Sequence, residues 1–253
     1  MNVFTRSGDG PRLAFPGGSR RGERQAVSGV RRISETTIRR LSLYLRILEE
    51  MDEGDVHTVS SGELAEGTGT TAAQVRKDLS LFGSFGKRGL GYFVHELASE
   101  LKEILGLDRP WKVALVGAGR IGSALYEYAG FRERGFEIVA VLDAAPLKVG
   151  EAWGDVEVRD VSRLEEVIRD EGVEIVVLAV PACSGQDVVD RAVAAGVRGV
   201  LNFAPTPLHV PDGVALKHVN LVMELEALSF GITQAHPGRG TPAPGQPPGG
   251  VTT

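Results

Sequence analysis

The stretch WKVALVGAGRIGSALYEYAG, residues 111–130, constrains the chain more than any other. Apolar residues Val113 to Val116 form a strand that runs into Gly117, Gly119 and Gly122, a G-x-G-x-x-G spacing, and a helix begins near Ile121. The first glycine permits a tight turn, the second lets the backbone approach a pyrophosphate, and the third lets helix and strand pack closely. The helix amides are then left aimed at an anion. A second apolar strand over residues 138–142 ends at Asp143, 21 residues after Gly122. At that place an acid accepts from a ribose 2′-hydroxyl and repels a 2′-phosphate, so NADH and NAD+ are expected over their phosphorylated forms. Further on, a helix around 162–169, a strand over 174–180 ending at Pro181, a helix near 187–195 and a strand GVLNFAP continue the alternation. The back half is therefore expected to be a Rossmann unit, a doubly wound parallel sheet. Its cofactor site is read as Gly117, Ala118, Gly119, Arg120, Ile121, Gly122 and Asp143, with Tyr128, Pro181 and Asn202.

Before Gly106 and Pro110 the pattern is helical, which puts a domain boundary near residue 108. Ile38, Leu41, Leu45, Leu48 and Met51 line one face of a first helix. Ser60 and Glu63 fit a capping box that opens a short helix, and Thr68, Gly69 and Thr70 make a tight connection. A third helix follows, with Val75, Leu79 and Phe82 on its inner face and Gln74, Arg76 and Lys77 elsewhere. This is a helix-turn-helix order, and the glycine-spaced GSFGKRGLGYFV after it suits a hairpin wing presenting Lys87 and Arg88. Flexible cations on protruding elements are what phosphate contacts require, so a winged-helix domain for double-stranded DNA is expected. Arg39, Arg40, Gln74, Arg76, Lys77, Lys87 and Arg88 are its candidate contacts.

Charge agrees in sign. The net charge of −5 divides unevenly: residues 1–95 carry 14 Lys and Arg against 11 Asp and Glu, while the remainder is strongly acidic. The front is the half able to meet a polyanion. Residues 1–32, rich in Gly, Arg and Ser, and residues 236–253, with five prolines and five glycines, lack apolar periodicity. Both are expected to be disordered tails, the second from about residue 234. Apolar runs near seven residues are far too short to cross a bilayer, no secretory signal is visible at the N-terminus, and a cytoplasmic location is expected. With one cysteine, Cys183, the chain can form no intrachain disulfide, and no metal site is expected.

A dehydrogenase would need a proton donor beside the nicotinamide. His57 and His95 suit caps or surface, His209 lies between prolines, and His218 sits near a strand end. Cys183 follows a strand into the ligand crevice but has no basic partner to activate it. No residue is assigned to catalysis, and too little chain follows Ala152 for a substrate domain, so the dinucleotide itself reads as the signal. The alternative is an NAD-dependent oxidoreductase with a helical dimerisation domain at its front.

In TIRRLSLYLRILEE, TTAAQVRKDLSLFGSFGKRGLGY, LGLDRPWKVALVGAGRIG, AGVRGVLNFAP and ELEALSF the chain resembles the Rex family of redox-sensing transcriptional repressors over nearly all of residues 34–232. The resemblance implies a homodimer whose winged helices bind a two-fold operator and whose Rossmann domains sense the NADH/NAD+ balance. NADH releases the DNA and NAD+ is compatible with binding. It implies a winged-helix domain at 33–107, a Rossmann domain at 108–218 and a helix at 219–233 that is swapped to the partner, which suits the apolar Leu221, Val222, Leu225, Leu228, Phe230 and Ile232. It also implies a redox-linked polar network of Arg46, Tyr128 and Asn220. Two departures stand out: Asn220 replaces an aspartate common in the family, and DAAPLK has no second acid after Asp143.

Overall fold

The structure, a computed structural model, describes residues 33–87 and 89–235; the expected tails and Arg88 lie outside the described residues, except that Gln234 and Ala235 belong to the last helix. The first domain opens with α1 (Glu35–Glu53), capped by Ser34, whose hydroxyl accepts from the Thr37 amide at 3.2 Å. Then come β1 (Thr58–Val59), α2 (Ser61–Thr68), α3 (Ala72–Ser80), β2 (Tyr92–Phe93) and α4 (Val94–Leu105). The Ser60–Glu63 capping box forms in both directions, and Gly69 closes α2 in the left-handed conformation. Leu41, Tyr44, Leu45 and Leu48 of α1 meet Leu64, Val75, Leu79, Val94, Leu97 and Leu101 in one buried core. The first-helix face is thus rotated from the expected one: Tyr44 is buried and Ile38 is exposed. Helix α4 had no distinct motif in sequence, but its apolar face closes the core against α1.

β1 and β2 pair antiparallel, and Lys87 bridges to Gly91 to make a small hairpin of the expected wing. Glycine is required at Gly91: its φ is +91°, and an added Cβ would lie 2.5 Å from the Val59 carbonyl oxygen.

The second domain runs β3 (Trp111–Val116), α5 (Arg120–Tyr126), α6 (Ala129–Glu133), β4 (Phe136–Asp143), β5 (Ala152–Trp153), β6 (Val156–Asp160), α7 (Leu164–Glu171), β7 (Ile175–Leu178), α8 (Gly185–Ala194), β8 (Gly199–Asn202) and β9 (Ala215–His218). The described strands lie in the order β5-β6-β4-β3-β7-β8-β9, all parallel except β5. The parallel six follow the dinucleotide-binding order 3-2-1-4-5-6, whose switch point falls between β3 and β7. On one face α7 and α8 bury Leu164, Val167, Ile168, Val188, Val189 and Ala192 against the sheet. The other face is only partly covered by α5 and α6, leaving an apolar cleft of about 360 Å³ that includes Phe131, Phe136, Ile138, Ile175 and Leu201. Helix α9 (Leu221–Ala235) ends the described chain with every residue exposed. Among the described residues, ion pairs of Glu49 with Arg134 at 2.5 Å and of Glu35 with Lys217 at 2.6 Å join the domains.

Candidate functional site: a dinucleotide cleft and a basic helical face

At the carboxyl ends of β3, β4 and β7 a cleft of about 980 Å³ is lined by Gly117, Gly119, Arg120, Ile121, Asp143, Lys148 and Pro181, among others. Gly117 has φ +107°, and an added Cβ would collide with the Ala179 carbonyl, so the turn depends on glycine there. A Cβ on Gly122 would strike the Gly117 carbonyl, which is the close helix–strand contact expected of the third glycine. Around Gly119, by contrast, nothing lies within 4 Å of an added Cβ, so backbone faces open cleft where a pyrophosphate approaches. These features fit a dinucleotide.

Asp143 is held in place by three donors. Its Oδ2 accepts from the Ala118 amide at 2.7 Å and the Lys148 ammonium at 3.1 Å, and its Oδ1 from the Ala145 amide at 2.8 Å. Burial alone would push its pKa up, but the Ala145, Lys148 and Ala118 hydrogen bonds outweigh that and hold the carboxyl below its ordinary value. Through its amide Ala118 thus supports Asp143. Two other expected cofactor residues lie elsewhere. Asn202 is buried, bonded to Ala204, Thr206 and His218, and lines a neighbouring cleft with His218, Val219 and Asn220. Ile121 lines both clefts and joins them. Tyr128 is not on the helix after the phosphate loop. It is the N-cap of α6, exposed, and faces Arg46, Glu50, Glu53 and Arg134 in a polar cleft between the domains. Arg46 and Tyr128 thus share a cleft, whereas Asn220 of the same chain caps α9, accepting from the Val222 and Met223 amides.

On the first domain, Thr71 caps α3 and sets its start, while Val75 and Leu79 anchor its inner face. Arg76 and Lys77 are exposed on the outer face, and Arg76 is steadied by the Ser61 hydroxyl at 2.8 Å. Arg39 is exposed in an i,i+4 pair with Glu35, and Lys87 stands over the Phe93 ring at 5.6 Å. Two expected contacts are engaged within the domain. Arg40 forms a two-pronged pair with Asp78 at 2.6 and 2.7 Å, and the Gln74 side-chain amide donates to the same carboxylate at 2.8 Å. Arg40 thereby ties α1 to α3, while Gln74 pairs with Asp78 one turn on within α3. Asp78 is almost fully buried and also accepts from the Tyr44 hydroxyl at 3.1 Å. Burial opposes its ionisation, but Arg40, Gln74 and Tyr44 together keep its pKa below the ordinary value. The same burial and the adjacent carboxylate push Tyr44 up to about 12. Sequence reading missed Asp78 and Tyr44; the available signal was a charged residue on the inner half of an amphipathic helix, which must find partners.

Among the described residues no group of three or more His, Cys, Asp and Glu is placed to hold a metal ion. Nor is any described helix long and apolar enough to cross a membrane. Cys183 is exposed, its Sγ 3.8 Å from the Ser184 hydroxyl.

A family model described as "Putative DNA-binding protein N-terminus" matches residues 32–80, and one described as "CoA binding domain" matches residues 108–206. The redox-sensing transcriptional repressor Rex of Carboxydothermus hydrogenoformans is 52% identical over 201 residues, 79% of this chain and 97% of that protein. The protein of the same name from Streptomyces coelicolor is 48% identical over 200 residues, 79% and 78% of the two chains. Among solved structures, RSP in complex with β-NAD+ and operator DNA overlays with a TM-score of 0.77 at 40% identity, covering 81% of this chain and 94% of that one. RSP in complex with β-NADH overlays with 0.72 at 39% identity, covering 81% and 96%.

Proposed function

This chain belongs to the Rex family of redox-sensing transcriptional repressors, and from that premise we propose that it binds operator DNA as a homodimer and leaves it when NADH fills the Rossmann cleft. It is a regulator, as its relatives are named, and not an enzyme. The observation that carries the reading is the pairing of a glycine-built cleft ending at Asp143 with a separate helix presenting Arg76 and Lys77. Gly117, Gly119, Arg120, Ile121 and Pro181 hold the pyrophosphate side, and Asp143 the adenosine ribose. Arg76, Lys77 and Lys87 contact the duplex, with Arg39 free to exchange Glu35 for a phosphate. A repressor shares a compartment with its operator, which puts the chain in the cytoplasm.

Dimerisation is supported by two unmatched surfaces. Helix α9 exposes Leu221, Leu225, Leu228, Phe230 and Ile232, while the opposite domain face has an apolar cleft that its own helices leave open. Apolar patches of that kind mark protein interfaces. Seating α9 of one copy on the sheet of a second would cover both and bring Asn220 of one copy towards Arg46 and Tyr128 of the other. The test is a gel shift with DNA from upstream of the chain's own coding sequence, run without cofactor, with NAD+ and with NADH. A retarded band that NADH removes and NAD+ preserves supports the reading; no specific retardation, or oxidation of NADH by a carbonyl substrate, contradicts it.

A further inference from the structure

Arg39 precedes Arg40 on α1, and because Arg40 is tied to Asp78 the start of α1 is held beside the helix that carries Arg76 and Lys77. Its charge is contested there. Glu35, one turn earlier, accepts from the Arg39 guanidinium at 3.1 Å through Oε1, and an acid in that place offsets the cation before a phosphate can reach it. The structure gives this acid a second claimant. Lys217, on β9 of the other domain, sets its ammonium 2.6 Å from Glu35 Oε2. Of the two cations it is the stronger partner, since Lys217, ahead of Arg39, holds the Glu35 carboxyl below its ordinary value. The sheet cleft that Lys217 also lines gives its charge no other role, because the remaining described lining residues are apolar and only the stem of a lysine suits them. One acid is thus shared by two cations. All three side chains are exposed, so each pair is weak and is readily exchanged for a phosphate. We propose that Lys217 is a positioning residue for operator binding: by occupying Glu35 from the Rossmann domain it leaves Arg39 available to a phosphate of the duplex. When Lys217 withdraws, Glu35 closes on Arg39 and the cation is lost to the DNA. The contact crosses between domains, so the charge that α1 offers depends on how the domains are placed. This rests on the DNA reading above and deepens it.

The experiment measures the affinity of the full chain for a labelled duplex from upstream of its own coding sequence, by fluorescence anisotropy at about 50 and 200 mM salt. The proteins are wild type, Lys217→Met, Lys217→Arg, Glu35→Gln and Arg39→Ala, with Lys217→Met also combined with each of the last two, and thermal melting confirms that each is folded. Lys217→Met is expected to weaken binding about three-fold at the lower salt, the size of one exposed ion pair, and by less at the higher salt. Lys217→Arg should restore wild-type affinity, and Glu35→Gln should strengthen binding about three-fold. Once Glu35 or Arg39 has been replaced, Lys217→Met should change nothing further, because Lys217 acts only through the acid and the acid only on Arg39. A folded Lys217→Met protein that binds like wild type overturns the inference, as does a weakening that persists in either combination, and both leave the DNA reading standing. A wild type that shows no specific binding overturns the DNA reading and this inference together.

Discussion

The cofactor cleft and the basic helical face of this chain are built from different materials. The cleft is shaped by backbone: Gly117, Gly119 and Gly122 matter because they lack a Cβ, and Asp143 is fixed mainly by amides. The helical face is shaped by long side chains, and the cations there divide into two kinds. Arg40 is consumed in holding α1 to α3, whereas Arg76 and Lys77 stay outside. A backbone-built site should therefore fail when atoms are added, and a side-chain-built site when atoms are removed.

The largest expected effect is addition in the cleft. Gly122→Ala drives a methyl into the Gly117 carbonyl between two rigid segments, a clash expected to cost about 4 kcal/mol and abolish NADH binding. Calorimetric melting and NADH titration check it; a variant that melts and binds like wild type breaks the contrast. Next comes removal inside the first domain. Asp78→Ala leaves Arg40 without its buried partner and should destabilise that domain by about 3 kcal/mol in denaturant melts. Asp78 also predicts a pH signature. Its folded pKa lies below the ordinary 3.8, so its stabilisation is present above about pH 4 and is lost as pH falls through the depressed value. Asp78→Asn should be weaker at neutral pH and lack that contribution to acid sensitivity.

Third is removal on the outer face. Arg76→Ala with Lys77→Ala should weaken specific operator binding by about 100-fold, roughly 2.7 kcal/mol, flatten its salt dependence, and leave NADH affinity intact. Unchanged operator affinity would take α3 out of the DNA contact. The smallest effect concerns the coupling between the regions. Asn220→Asp keeps the α9 cap and supplies a carboxylate for Arg46 of a second copy, so the NADH-over-NAD+ difference in operator release should sharpen about three-fold. Arg46→Ala should cancel that gain.

The difference in building material also explains what was legible in the sequence. Missing side chains are directly visible, so the phosphate loop, the strand-helix alternation around it and the place of Asp143 at a strand end could be read from spacing. The Ser60–Glu63 cap and the Gly69 turn were legible for the same reason, being local. Tertiary partnerships were not. The tie of Arg40 to Asp78 was hidden because the sequence cannot show that a carboxylate 38 residues away folds against it. The position of Tyr128 was hidden because the helix after the phosphate loop breaks at Glu127 and restarts as α6. Lys148 passed unnoticed because its significance depends on a loop returning it to Asp143.

The central claim is that the two regions bias one equilibrium, and linkage makes it measurable from the cofactor side. NADH and NAD+ dissociation constants are determined for the free protein and for protein saturated with operator duplex. The account predicts that operator weakens NADH binding by at least about ten-fold, an ordinary coupling energy, while NAD+ binding changes by less than about three-fold. Equal NADH affinity with and without operator would contradict it, whatever either site does alone.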